Sequence, residues 1–84
     1  MINVAIFVSG SGTNCEALIR HFQESKDVNI ALVLSNKADA YALVRAQNLG
    51  VKTVVMPKKE FMREDMLMPL MKENSIDFIV LAGF

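Results

Sequence analysis

The chain has no excess of charge of either sign. Its 84 residues carry nine basic and nine acidic side chains, so the formal net charge is zero, and these residues are dispersed. A basic patch is the electrostatic signature of proteins that bind nucleic acids or anionic membranes, so this balance supports neither partner. We expect a small-molecule ligand.

Cysteine and long hydrophobic runs are also scarce. The single cysteine, Cys15, cannot form an internal disulfide, which favours a reducing, cytoplasmic setting. The apolar residues 1–8 lack a basic leader, are soon interrupted by Gly10 and Gly12, and are too short to cross a bilayer. No segment repeats, and we expect one small domain over residues 1–84.

What the sequence does contain is an alternation of apolar runs with amphipathic segments. The predicted strands are residues 2–8, 28–34, 52–56 and 78–82. The first predicted helix starts at Thr13, and the second runs from about Asp39 to a stop at Gly50. The third runs from Phe61 to Asn74, and Pro69 should kink or restart it. Continuous apolar strands indicate a parallel sheet that is covered on both faces.

This element order predicts an α/β, Rossmann-like fold. Right-handed crossovers and the usual doubly wound topology place four parallel strands in the order 3-2-1-4, with three helices. The first two helices then cover one face and the third covers the other. The strand order reverses between strands one and four, and ligands of open α/β sheets bind at the carboxyl ends of the strands there.

The turn at residues 8–14 (VSGSGTN) follows the first strand and opens the first helix. Such a turn leaves backbone N–H groups at the positive end of the helix dipole, which favours a phosphate or another small anion. Thr13 and Glu16 also fit a capping box, which would partly engage the Thr13 hydroxyl. The candidate binding residues are Gly10, Ser11, Gly12, Thr13 and Asn14.

Two familiar phosphate loops do not match this turn. The dinucleotide fingerprint needs a third glycine and an acid after the second strand, where residues 35–37 read SNK. A Walker loop needs a Gly-Lys-Ser/Thr run, which is absent from the sequence. The loop therefore suits a single phosphate. The alternative reading is a tight turn in which Gly10 and Gly12 serve backbone geometry alone.

The other reactive side chains have ordinary structural explanations. His21 has no spaced partner and is predicted to be a surface histidine. The helix dipole would lower the pKa of Cys15 in the first turn, but a small buried residue is the favoured interpretation. Arg63 is by default a surface charge. The sequence offers no metal-ligand cluster and no nucleophile–base pair.

Three motifs together resemble one family. Residues 8–14 (VSGSGTN), 34–40 (LSNKADA) and 80–84 (VLAGF) are similar, in order and spacing, to the phosphoribosylglycinamide formyltransferases. They look less like formyltetrahydrofolate deformylase or methionyl-tRNA formyltransferase, which share the fold. The resemblance implies transfer of a formyl group from 10-formyltetrahydrofolate to the amine of glycinamide ribonucleotide in de novo purine biosynthesis, without a metal.

The resemblance also implies roles for individual residues. Gly12, Thr13 and Asn14 match the positions that hold the ribonucleotide phosphate, and Arg63 is the nearest match to an arginine that touches the folate. The asparagine, histidine and aspartate of the family's chemistry lie beyond the position of Phe84. We therefore expect a phosphoribosyl-binding half that lacks catalytic residues and is inactive alone.

A truncated sheet has consequences for partners. Strand four would be an edge with exposed apolar surface, so we expect self-association or association with a missing C-terminal half. Two other functions remain open. One is a non-catalytic nucleotide- or phosphate-binding module, and the other is a deformylase relative, whose acceptor is water.

Overall fold

The computed structural model of the chain describes residues 1–61 and 63–83. The elements in chain order are β1 (Ile2–Val8), α1 (Thr13–Phe22), β2 (Val28–Ser35), α2 (Tyr41–Asn48), β3 (Lys52–Val55), α3 (Lys58–Phe61), α4 (Glu64–Glu73) and β4 (Phe78–Leu81). The strands form one parallel sheet in the order β3-β2-β1-β4. The predicted Rossmann-like topology is confirmed.

The central strand β1 has neighbours on both sides, which explains why it is a continuous apolar run. Ile6 pairs with Val33 of β2 and with Val80 of β4. Ala5 and Ile6 are fully buried. From Val4 to Phe7 the strand is covered on both faces and paired on both edges, so no polar side chain occurs there, whereas Asn3 lies near its less buried start.

Successive residues of β1 pack into two separate cores. On one face Ile6 packs in a cluster with Ile19 of α1 and Ala46 of α2. On the other face Phe7 packs in a cluster with Met71 of α4. As predicted, the first two helices cover one face and the third long helix covers the other.

The third helical segment differs from its prediction. A one-turn helix, α3, precedes α4, and Arg63 between them is extended, with φ −106° and ψ 112°. The helix therefore restarts at Arg63 rather than at Pro69, and α4 continues through Pro69. Since proline has no N–H, the α4 hydrogen bond that residue 69 would donate to the carbonyl of Asp65 is absent.

The strand β4 leaves apolar side chains exposed. Leu81 is 66% exposed and Phe78 is 61% exposed. In the part of the chain that the structure describes, β4 pairs with β1 alone, so its outer edge carries backbone groups without a sheet partner. This confirms the predicted edge and the predicted apolar surface. Among the described residues no helix is long and apolar enough to cross a membrane.

Candidate functional site

The loop between β1 and α1 forms one wall of a cavity of about 170 Å³ at the carboxyl end of the sheet. The lining residues that the structure describes are Val8, Gly10, Ser11, Gly12, Thr13, Asn14, Ala82 and Gly83. The N–H of Ala82 donates to the carbonyl of Phe7 at 2.9 Å, which brings the segment after β4 alongside the loop. Phe84, the last residue of the third motif, lies outside the described residues.

All five predicted loop residues line this cavity, and none of the described lining residues has a titratable side chain. Such a cavity can bind an oxyanion through backbone N–H groups, hydroxyls and an amide. It offers no acid or base of its own for proton transfer.

The helix α1 begins without a side-chain cap, contrary to the predicted capping box. Gly12 occupies the N-cap position with φ 80° and ψ 23°, and no described side chain bonds to the cap. The first helical hydrogen bond joins the N–H of Glu16 to the carbonyl of Gly12 at 2.8 Å. Thr13 is therefore one residue too late to act as the cap. No described side chain caps the first N–H groups of α1, which lie at the positive end of its dipole.

Gly12 and Gly10 have different structural roles. The left-handed backbone of Gly12 favours glycine, and a Cβ there would overlap the Cα and Cβ of Ala42 in α2. A Cβ on Gly10 would meet nothing within 4 Å. Gly12 therefore has a role in backbone geometry, because it must be small so that α2 can approach the loop.

The helix α2 holds the loop through hydrogen bonds that the sequence did not reveal. The N–H of Ala42 donates to the carbonyl of Gly10 at 3.3 Å. Arg45 donates from Nε to the carbonyl of Ser11 at 2.8 Å and from Nη1 to Oε1 of Glu16 at 3.0 Å. Residues 42 and 45 are three apart and so share a helix face. This spacing is the only sequence signal that could have indicated that both contact the same loop.

Glu16 lies between two arginines. Besides its contact with Arg45, its Oε2 accepts a hydrogen bond from Nε of Arg20 at 3.3 Å. The hydrogen bonds from Arg45 and then Arg20 hold the pKa of the Glu16 carboxyl below its usual value. Glu16 is thereby engaged in ion pairs and not in the cap.

The second motif lies at the same end of the sheet. The hydroxyl of Ser9, just after β1, donates to Oδ1 of Asn36 at 2.7 Å, just after β2. The Oγ of Ser35 accepts a hydrogen bond from the N–H of Lys37 at 3.1 Å. Lys37 and Asp39 are exposed. This motif therefore stabilises the cavity's surroundings rather than lining it.

The remaining candidates lie apart from the cavity. Cys15 is fully buried, and burial raises the pKa of its thiol to about 11, which favours the protonated thiol at neutral pH. His21 is exposed on α1, as predicted. Arg63 is exposed and donates to both carboxylate oxygens of Asp65, from Nη2 at 2.8 Å and from Nε at 3.2 Å. No group of metal ligands occurs among the described residues.

The chain is similar in sequence and in structure to known formyltransferases. The model of the formyl transferase family matches residues 2–84. The phosphoribosylglycinamide formyltransferase of Haemophilus influenzae is 38% identical over 100% of this chain. That of Dictyostelium discoideum is 35% identical over 98% of it. A crystal structure of the Brucella melitensis phosphoribosylglycinamide formyltransferase superimposes with a TM-score of 0.88 at 38% identity over 99% of the chain.

These relatives are longer than the present chain. The match covers 42% of the Haemophilus protein, 46% of the Dictyostelium protein and 46% of the Brucella chain. The chain thus spans somewhat less than half the length of the relatives to which it is similar.

Proposed function

Since the chain belongs to the formyl transferase family, we propose that it forms the phosphoribosyl-binding part of a folate-dependent enzyme. The proposed reaction transfers a formyl group from 10-formyltetrahydrofolate to the amine of glycinamide ribonucleotide, in de novo purine biosynthesis. The observation that carries the proposal is the uncapped start of α1 at a cavity lined by residues 10–14.

The role proposed for the loop is to bind the ribonucleotide phosphate. The N–H groups of Gly12, Thr13 and Asn14 belong to the first turn of α1 and have no partner within the helix. Thr13 and Asn14 are exposed, so their side chains are accessible to a ligand in the cavity. Donors on consecutive residues at a helix N-terminus suit an oxyanion with several acceptor oxygens.

The phosphate site can be tested by amide chemical shifts. We expect ribose 5-phosphate and inorganic phosphate to shift the amides of Gly12, Thr13 and Asn14 together, whereas ribose should leave them unchanged. The amide of Gly50, which also has a positive φ but follows α2, is the internal control. Unshifted loop amides at millimolar phosphate would contradict the proposal.

The family also suggests a folate-type formyl donor, and we propose that Arg63 contacts it. The guanidinium of Arg63 is exposed and already holds a carboxylate, that of Asp65, in a two-point contact. A carboxylate of the folate could take the same position. Replacing Arg63 by methionine should weaken folate binding in equilibrium dialysis. Replacing Arg20, which is 61% exposed like Arg63, should not.

We assign no catalytic residue to this chain. The described lining of the cavity has no titratable side chain, and His21 is on the exposed surface of α1. The isolated chain should therefore bind phosphate but show no formyl transfer, and measurable turnover would contradict this. Native mass spectrometry that found a different bound nucleotide would instead favour a non-catalytic binding module.

The buried single cysteine supports a reducing, cytoplasmic location.

The outer edge of β4 is the proposed contact surface for the rest of a longer protein. In the isolated chain we propose that a second copy takes this place. Beside β4, an apolar groove of about 290 Å³ includes Phe78, Ile79 and Val80. An uncovered apolar edge strand is a template for pairing with another chain.

Light scattering tests the edge with a matched pair of variants. Ile79 in β4 is 45% exposed, and Val55 in β3, at the opposite edge of the sheet, is 44% exposed. We expect Ile79→Lys to make the chain monomeric, because a charge on the strand opposes pairing, while Val55→Lys still associates. An unmodified chain that is already a stable monomer would contradict the proposal.

A further inference from the structure

We propose that Arg45 is a positioning residue for the phosphate site, acting through the orientation of the loop's peptide groups. Arg45 is in α2 and is not among the described residues that line the cavity, so it does not serve as a direct ligand. The inference rests on the proposed phosphate-binding function and adds a residue that decides the geometry of that site.

The two peptide groups before α1 have their carbonyls directed at α2. The carbonyl of Ser11 accepts from Nε of Arg45 at 2.8 Å, and that of Gly10 accepts from the N–H of Ala42 at 3.3 Å. In a trans peptide the C=O and the following N–H point in opposite directions. The N–H groups of Ser11 and Gly12 therefore point away from α2. Ser11 and Gly12 both line the cavity, whereas no described residue of α2 does.

The guanidinium of Arg45 is itself held in place. While Nε contacts the loop, Nη1 donates to Oε1 of Glu16 at 3.0 Å, and the guanidinium carbon lies 4.9 Å from the ring centre of Tyr41. The side chain of Arg45 is only 26% exposed. Because the guanidinium is planar with fixed angles, its two contacts set the distance between the loop and the first turn of α1. A lysine ammonium cannot reproduce this two-point geometry.

The expected effect follows from the fraction of molecules that have a correctly oriented loop. The apparent dissociation constant equals the intrinsic one divided by the fraction of binding-competent molecules. If the loop without Arg45 is oriented about one time in ten, phosphate binding weakens about tenfold. Arg20 provides the matched control, because it also pairs with Glu16 but does not contact the loop.

The experiment titrates ribose 5-phosphate into the unmodified chain and into Arg45→Met, Arg45→Lys and Arg20→Met, following loop amide shifts. We expect Arg45→Met to bind about tenfold more weakly and Arg45→Lys to be weakened too. In both Arg45 variants, the amide chemical shifts of Ser11 and Gly12 should differ from those of the unmodified chain even before ligand is added. Arg20→Met should bind like the unmodified chain. Thermal midpoints of all four proteins separate a loss of affinity from a loss of stability.

The outcomes distinguish this inference from the function on which it rests. If the unmodified chain does not bind, the phosphate site itself is wrong and the inference falls with it. If the unmodified chain binds and Arg45→Met binds equally well, only the inference is overturned. If Arg45→Lys binds ribose 5-phosphate with full affinity, the contribution of Arg45 comes from its charge alone, and the inference is also overturned. Should Arg45→Met fail to fold, Arg45→Lys, which retains the charge opposite Glu16, decides the question.

Discussion

Replacing Gly12 by alanine tests whether the approach of α2 to the loop depends on a residue without a side chain. Gly12 has φ 80°, and a Cβ built on it would overlap the Cα and Cβ of Ala42. One of the overlapping atoms belongs to the backbone, so a change of rotamer cannot relieve the contact. Either α2 must shift, or the loop must leave its left-handed conformation and lose the hydrogen bond between Gly10 and Ala42.

The magnitude follows from two separate costs. A non-glycine residue in the left-handed region costs about 1–2 kcal/mol, and forcing extra atoms into a packed contact costs about 1–3 kcal/mol. Together they predict a loss of roughly 2–5 kcal/mol in the free energy of unfolding. For a domain of this size that corresponds to a fall of roughly 8–40 °C in the thermal midpoint.

Circular dichroism during urea and thermal denaturation measures this loss, and Gly10→Ala is the matched control. Gly10 lies two residues away, has no atom within 4 Å of a built Cβ and does not have a positive φ. Its substitution should change the unfolding free energy by less than about 0.5 kcal/mol. If both alanine variants were equally stable, the close contact between the loop and α2 would be refuted.

Three further predictions concern the first turn of α1. Thr13→Ala should change the unfolding free energy by less than about 0.5 kcal/mol in urea denaturation, because the Thr13 hydroxyl caps nothing; a loss of about 1 kcal/mol would mean that it is a cap. Burial raises the pKa of Cys15 from 9.0 to about 11, so the unfolded chain loses its thiol proton first and stability falls as the pH rises through this range. As the pH rises from 9.0 to about 11, the free energy of unfolding of the unmodified chain should fall by about 2–3 kcal/mol more than that of Cys15→Ala. Parallel profiles of unfolding free energy against pH would contradict this. The carboxyl of Glu16 should titrate in NMR below its ordinary pKa, so its stabilising effect is lost as the pH falls through the lowered value. Arg45→Met should raise that pKa more than Arg20→Met, whereas equal shifts would show that neither arginine dominates.

Much of the fold could be predicted because it depends on short-range patterns. The apolar run at residues 2–8 coincides with β1, and Gly50, which has φ 79°, ends α2 as expected. The strand order followed from the right-handedness of βαβ crossovers, which holds whatever side chains are present. The break before α4 was missed because arginine is a good helix former, so its residue type does not indicate the extended backbone at Arg63.

The amino-acid sequence by itself determined the four strands, the first two helices, the order of the strands in the sheet and the end of the sheet where a ligand would bind. Apolar periodicity, glycine at a strand-to-helix turn and chain handedness are properties of neighbouring residues. Only the tertiary structure decided that Gly12 rather than Thr13 occupies the N-cap of α1, and that Arg45 from another helix contacts the Ser11 carbonyl. The contact between Arg45 and Ser11 joins residues 34 positions apart, and its distance and direction exist only once the sheet has brought α1 and α2 together.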